Sequence, residues 1–230
     1  ILKSIINQSQ SRQTPCALLV KKGSFCDYKL QSNKAYRRPL FREQAIEICI
    51  GEFDADDIVV STTGVASREL FEYREKLDLG HENDFLTVGG MGHASQIALG
   101  IALYKRDRQI FCLDGDGALL MHMGALAINA SMNCPNFKHI VFNNSAHDSV
   151  GGQPTVAGQL DLLGIARSCG YRWVKKALIP DGIKNAIREL RKSIGPAFLE
   201  IQVKPGYRSD LGRPTNTPRE NKELFMEFLK

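Results

Sequence analysis

The chain has 230 residues, 43% of them hydrophobic, and a formal charge of +5 with both signs mixed along its length. That size suits one large domain, or one and a half smaller ones, around a sizeable core. No apolar run approaches the roughly 18 residues of a membrane span, and the basic cluster Arg37-Arg38, with Lys34 and Arg42, lacks the interleaved aromatics of a nucleic-acid surface.

A polar, helix-like segment opens the chain and leads through Thr14-Pro15 into a strand at Cys16 to Val20. One strand does not make a domain, so residues 1–30 read as the end of something larger and 31–40 as a polar linker. From 41 to 206 the pattern is regular. Helices are expected at Arg42 to Ile50, Arg68 to Leu77, His93 to Tyr104, Ala118 to Met132, Gly158 to Ser168 and Asp181 to Ser193. Strands are expected at Ile58 to Ser61, Phe85 to Val88, Gln109 to Leu113, up to Asn143, at Tyr171 to Val174 and at Ala197 to Val203. Near-continuous apolar strands alternating with helices predict an α/β fold, a parallel six-stranded sheet with helices on both faces. Residues 207–230 read as a polar tail and a last helix, capped by Thr217 with Pro218 at its first position. Six scattered cysteines without short metal-ligand spacing point to a reducing, cytoplasmic setting. Ile1-Leu2-Lys3 is neither an initiator methionine nor a secretion signal.

Right-handed crossovers bring the strand-to-helix loops to one edge of such a sheet, where ligands bind. Two of those loops carry the most specific signal: Gly115-Asp116-Gly117, then Asn143-Asn144 after about 25 residues. Gly-Asp-Gly alone is commonly a tight turn. Paired with the asparagines it supplies a hard carboxylate, a neutral side-chain oxygen and a Gly-lined gap, as magnesium carrying a diphosphate requires. Gly115 and Gly117 leave room for the diphosphate, and N–H groups near Ala118 face it from a helix start.

The spacing resembles the thiamine-diphosphate-binding motif. The resemblance implies Asp116, Asn144 and the backbone carbonyl of Ala146 as magnesium ligands. It also makes Met91, in Gly89-Gly90-Met91-Gly92, the apolar wedge that bends the cofactor. The Gly89 carbonyl and Met91 N–H would bind the aminopyrimidine. The competing reading of Met91 is core packing. The same glycines nearly match a dinucleotide fingerprint, but Ser95 stands where Gly or Ala is wanted. Gly64, in Thr62-Thr63-Gly64, is positioned to let the backbone approach the cofactor. Ser67 reads as a helix cap. Arg68 reads as a partner of Glu69 or Glu72, or of an anionic substrate. His147 is either a substrate-orienting, proton-moving residue or a loop histidine bonded to its neighbours; His93 and His122 read as satisfied helix residues.

Over nearly its full length the chain is similar to the phosphonopyruvate decarboxylases and the related sulfopyruvate decarboxylases. The residues that carry this are Ala17 to Gly23, Ser67-Arg68-Glu69-Leu70, Met91 to Ser95, Gly115 to Gly124, Asn143 to Thr155 and Asp210 to Thr215. The family implies decarboxylation of 3-phosphonopyruvate to phosphonoacetaldehyde and carbon dioxide, with thiamine diphosphate and Mg2+ as cofactors and a small anionic 2-keto acid as substrate. Arg208 and Arg213 are candidates for the substrate's anionic end, against a reading of both as a solvated tail. Family members also carry an N-terminal pyrimidine-binding domain whose glutamate serves the cofactor. The chain is expected to start just before that domain's last strand. The intact enzyme is then a homo-oligomer, a dimer or higher, or this chain works with a separate pyrimidine-binding subunit. A subunit that binds the cofactor without catalysis is the remaining alternative. Neither nucleic acid nor membrane is an expected partner.

Overall fold

The computed structural model describes residues 1–21, 23–26 and 37–230. The chain divides into two compact units, Ile1–Tyr36 and Arg37–Lys230. In the first, helix α1 (Leu2–Arg12) buries none of its residues. The strand expected at Cys16 to Val20 does not form; these residues are exposed and irregular. A strand needs a neighbour for its backbone hydrogen bonds, and among the described residues none lies beside it. Most of the expected linker, 31–36, lies outside the described residues.

The second unit is a six-stranded, all-parallel sheet. Its strands are β1 (Ile58–Ser61), β2 (Asp84–Leu86), β3 (Ile110–Gly115), β4 (Phe137–Asn143), β5 (Trp173–Ala177) and β6 (Ala197–Gln202). They lie in the order β2-β1-β3-β4-β6-β5. Side chains alternate between the two faces because the strand period is two. Val59, Phe111, Leu113, Ile140 and Leu199 pack under α2 (Arg42–Ile50), α3 (Val65–Leu77) and α8 (Pro180–Lys192). Ile58, Val60, Ile110, Val141 and Phe198 pack on the other face, under α4 (Ala94–Tyr104), α6 (Ala125–Ser131) and α7 (Leu162–Cys169). Both sheet faces are thus dry, which is why the strands read as unbroken apolar runs.

Several boundaries differ from expectation. The helix predicted from Ala118 to Met132 is two, α5 (Asp116–Met121) and α6, broken at His122 to Gly124. α7 begins at Leu162, where the Asp161 carboxylate accepts the Gly164 N–H, and only a 3-10 turn precedes it. Helix α9 (Pro218–Phe228) opens on the expected Thr217 cap and lies along the edge strand β2. Asn221 donates to the Asp84 carbonyl and accepts the Leu86 N–H, while Phe225 meets Phe85 at 5.3 Å. That cover protects an edge whose backbone groups would otherwise face solvent.

Candidate functional site

The parallel register of β3 and β4 pairs Gly115 with Phe142, so the residues at the two strand ends, Asp116 and Asn143-Asn144, emerge side by side. This is why two motifs about 25 residues apart form one site. They meet in a cavity that is also bounded by Thr62, Met91, Ala146 and His147.

Asp116 is 1% exposed. Its carboxylate accepts from the Thr155 hydroxyl, and among the described residues it has no arginine or lysine partner. Burial raises its pKa; the Thr155 hydroxyl and the Asn144 backbone N–H pull it back down in part, as does nearby His147. A buried carboxylate without a countercharge is a group prepared for a cation.

Asn144 is held from both ends: its Nδ2 donates to Asp148 at 2.6 Å and its Oδ1 accepts the Ala146 N–H at 2.9 Å. An amide oxygen has a second lone pair, so Oδ1 keeps ligating capacity. Asp148 is in turn fixed by Arg42 (3.1 Å) and by the Gly206 N–H (3.0 Å), and Arg42 makes a two-point bridge to Glu69 at 2.7 and 3.1 Å. Burial alone would lower the pKa of Arg42, but Glu69 and Asp148 more than offset it and keep the guanidinium charged. Asn143 is braced separately, by Glu200 at 2.8 Å through its side chain and by Arg38 at 2.9 Å through its carbonyl.

Below the site, Asp114 accepts the Gly115 N–H and meets His139 at 3.2 Å, and His139 meets the Tyr171 hydroxyl at 3.3 Å. This buried chain fixes the loop from underneath. α5 begins at Asp116, so the N–H groups of Gly117 and Ala118 lie in a first turn that gives them no intrahelical acceptor.

Three glycines here meet close neighbours; at Gly92 a Cβ would lie 2.9 Å from the Ala118 carbonyl oxygen. A Cβ on Gly117 would lie 2.5 Å from His147 Nδ1, and a Cβ on Gly64, at φ +104°, would lie 3.1 Å from the Ser149 Cβ and 3.9 Å from the Met91 Cε. His147 therefore packs over the Gly-Asp-Gly turn, half-buried; its carbonyl accepts the Gly152 N–H at 2.9 Å, and its ring makes no hydrogen bond among the described residues. Met91 lines the cavity; Gly89 and Gly90 are exposed outside it, as is Val88 before them. Gly64 caps α3 and lines a neighbouring cavity instead. Ser67 is not the cap: its hydroxyl donates to the Thr62 carbonyl at 2.7 Å. His93 and His122 are exposed beside helix ends, their rings 4.2 Å apart; the His93 ring is satisfied by the Gly90 carbonyl at 3.0 Å, whereas the His122 ring has no hydrogen bond among the described residues. Arg68 pairs with neither Glu69 nor Glu72 but donates to the carbonyls of Leu211 and Gly212.

The fit of a diphosphate and a divalent cation is testable on these residues. Asp116, Asn144 and Ala146 supply hard oxygens of the kind magnesium takes. The Thr62 hydroxyl, buried in the same cavity, has no hydrogen-bond partner among the described residues. A buried polar atom left unpaired beside an uncompensated carboxylate marks a space shaped for a polar ligand. The residues present therefore fit the group.

The family model described as the thiamine pyrophosphate enzyme C-terminal TPP-binding domain matches residues 63–201. The chain belongs to the thiamine pyrophosphate enzymes. Among relatives of this family, a phosphonopyruvate decarboxylase of Streptomyces viridochromogenes is 37% identical over 188 residues, 82% of this chain and 46% of that protein. A sulfopyruvate decarboxylase subunit beta of Methanothermobacter thermautotrophicus is 34% identical over 73% of this chain and 84% of that subunit. The chain spans about half the length of the phosphonopyruvate decarboxylases it matches. Benzoylformate decarboxylase of Polynucleobacter necessarius shares the fold, with a TM-score of 0.62 and 16% identity over 78% of this chain and 36% of that one. Among the described residues no helix is long and apolar enough to cross a membrane.

Sequence reasoning missed Arg42, Glu69 in its bridging role, Asp148 as the holder of Asn144, Thr62 and Thr155. Arg42 lies 106 positions from Asp148, and nothing local distinguishes it from a surface arginine.

Proposed function

We propose that this chain supplies the metal- and diphosphate-binding half of a thiamine-diphosphate- and magnesium-dependent decarboxylase acting on 3-phosphonopyruvate, yielding phosphonoacetaldehyde and carbon dioxide. The observation that carries this reading is the convergence of Asp116, Asn144 and Ala146 with Met91 on one cavity that also holds the unpaired Thr62 hydroxyl. Asp116, the Asn144 amide oxygen and the Ala146 carbonyl hold magnesium. The N–H groups of Gly117 and Ala118 face the diphosphate, and Met91 supports the cofactor from below, with the Gly89 carbonyl and the Met91 N–H toward its aminopyrimidine. Bound there, the cofactor supplies the electron sink for carbon dioxide loss from a 2-keto acid. His147, its ring unbonded at the cavity wall, orients the substrate or moves a proton.

Sulfopyruvate is the second reading. Its support is specific: the sulfopyruvate decarboxylase beta subunits of Methanothermobacter thermautotrophicus and Methanococcus maripaludis are matched over 84% and 98% of their own lengths. On that reading a separate pyrimidine-binding subunit completes the site. On the first, the remainder of a longer polypeptide does so in a dimer or higher oligomer.

The test has two stages. Calorimetry measures thiamine diphosphate binding to this chain with magnesium and with a chelator; binding that is lost on chelation is expected. Carbon dioxide release is then measured from 3-phosphonopyruvate, sulfopyruvate and pyruvate after the pyrimidine-binding half is supplied. Release from 3-phosphonopyruvate above the other two is the expected result. Preference for sulfopyruvate selects the second reading. Cofactor binding without release from any of the three overturns the decarboxylase reading and leaves a binding subunit.

A further inference from the structure

The cavity that contains Asp116 shares a wall, formed by Thr63, Val65 and Ser149, with a second cavity. The second one is bounded by two arginines, Arg68 and Arg213, and, among the described residues, by no carboxylate. Arg208, five positions before Arg213, is bonded to Glu43 at 2.8 Å, to Asp210 at 3.3 Å and to Glu72. Its charge is already matched by three carboxylates.

Arg213 differs. Among the described residues it makes no hydrogen bond or ion pair, and the hydroxyls of Ser149 and Tyr207 beside it are also unbonded. Its backbone is nonetheless fixed. Arg68 donates to the carbonyls of Leu211 and Gly212, and Glu72 accepts the Gly212 N–H. These three bonds tie the turn before Arg213 to α3, so its main chain is held at the cavity while its guanidinium remains unused. Gly64 lies between Thr63 and Val65 in that shared wall, at φ +104° and with its Cβ position 3.1 Å from the Ser149 Cβ, so a side chain there would be strained and would crowd Ser149.

We infer that this second cavity seats a tetrahedral oxyanion, the phosphonate or sulfonate carried on carbon 3 of the pyruvate substrate. Arg213 is the contacting cation and Arg68 the residue that positions it. A guanidinium presents paired N–H donors that match two oxygens of such a group. Ser149 and Tyr207 add neutral donors. The identity of the ligand rests on the decarboxylase reading above; the presence of an anion seat does not. The seat also separates these substrates from pyruvate, whose carbon 3 carries only hydrogen where the oxyanion would be.

The test uses methylphosphonate and methanesulfonate as probes, titrated calorimetrically against the 230-residue chain, with chelator present so that the diphosphate site holds no metal. The wild-type chain is expected to bind both probes saturably. Arg213→Met should weaken that binding by about ten- to a hundred-fold, the size of a lost charge-assisted contact, and Arg213→Lys should restore part of it. Arg68→Met, which releases the turn, should weaken binding less than Arg213→Met. In the complete enzyme, Arg213→Met should lower the kcat/KM for 3-phosphonopyruvate relative to that for pyruvate by a similar factor, through KM. Equal probe affinity in wild type and Arg213→Met, or no binding by wild type, overturns the seat. So does binding that Asp116→Ala abolishes and Arg213→Met leaves intact, because the anion would then occupy the diphosphate site. Arg213-dependent probe binding without carbon dioxide release from any 2-keto acid in the complete enzyme keeps the anion seat and overturns only the decarboxylase reading.

Discussion

The loop after β4 and the loop after β2 serve the same cavity and are built in opposite ways. Asn143 to Asp148 is buried or half-buried and held by a charged network that reaches Arg42, Glu69 and Glu200. Val88 to Gly90 is exposed, and the side-chain bonds it makes among the described residues are two, the Gly89 N–H to Thr63 Oγ1 at 3.2 Å and the Gly90 carbonyl to His93 Nδ1 at 3.0 Å. The first loop is fixed before any ligand arrives; the second is fixed chiefly by its own backbone. Preorganisation is thus concentrated where a metal would demand defined oxygen positions, because octahedral coordination tolerates little displacement. Contacts to a flat heterocycle demand less, and a glycine-rich turn meets them. Substitutions on the two sides should therefore separate stability from ligand binding.

The largest effect is expected from Arg42→Leu. It leaves Glu69 and Asp148 buried without their shared cation, and breaking a buried pair in this way costs about 3–5 kcal/mol. Urea unfolding at neutral pH should show the loss as a fall in midpoint at unchanged slope. An unfolding midpoint within error of wild type would show that the network does not brace the loop.

Asp116→Asn should move stability and binding in opposite directions. Burial raises the pKa of Asp116 above its unfolded value, so its contribution is fully present below the unfolded pKa and is lost as pH rises through the folded one. Without metal, the asparagine variant should be the more stable protein at neutral pH, with an advantage that shrinks on acidification. With magnesium and thiamine diphosphate, wild type should gain stability by binding and the variant should gain little. Thermal melts in the four conditions check the prediction. A variant stabilised as much as wild type by the two ligands would remove Asp116 from the metal site.

Gly64→Ala should be milder. Alanine at φ +104° carries roughly 1–3 kcal/mol of backbone strain, and its methyl crowds Ser149. A fall of several degrees in Tm is expected. No change would mean that the α3 entry relaxes, and the wall shared by the two cavities with it.

How much of this was legible in the sequence depended on range. α2 and β1 fall where the sequence puts them, because local periodicity and a buried parallel strand are short-range signals. The Asp116 and Asn144 pairing was legible because both motifs end neighbouring strands. The Cys16 to Val20 strand failed because strand formation needs a partner that a propensity cannot supply. The α5–α6 break was missed because Gly124 alone does not rule out a continuous helix. The Arg42 bridge and the α9 cover on β2 are contacts between distant segments, and no spacing rule encodes them.

The smallest stability change, and the sharpest contrast with Arg42→Leu, is expected from Met91→Ala. Met91 is half-buried at the cavity wall, and the residues before it in its loop are open to solvent. Truncation therefore opens a space already in contact with the cavity rather than a sealed void, and stability should change by no more than about 0.5 kcal/mol. Cofactor affinity should nevertheless fall, because the side chain proposed to support the cofactor is gone while the metal ligands stay intact. Magnesium dependence of binding should persist at the weaker affinity, which calorimetry can read directly. If Met91→Ala instead destabilises the chain by several kcal/mol, the side chain is a core element as its residue type would ordinarily suggest. The division between a braced metal side and a lightly held ring side would then be wrong at the residue where it is most exposed to test.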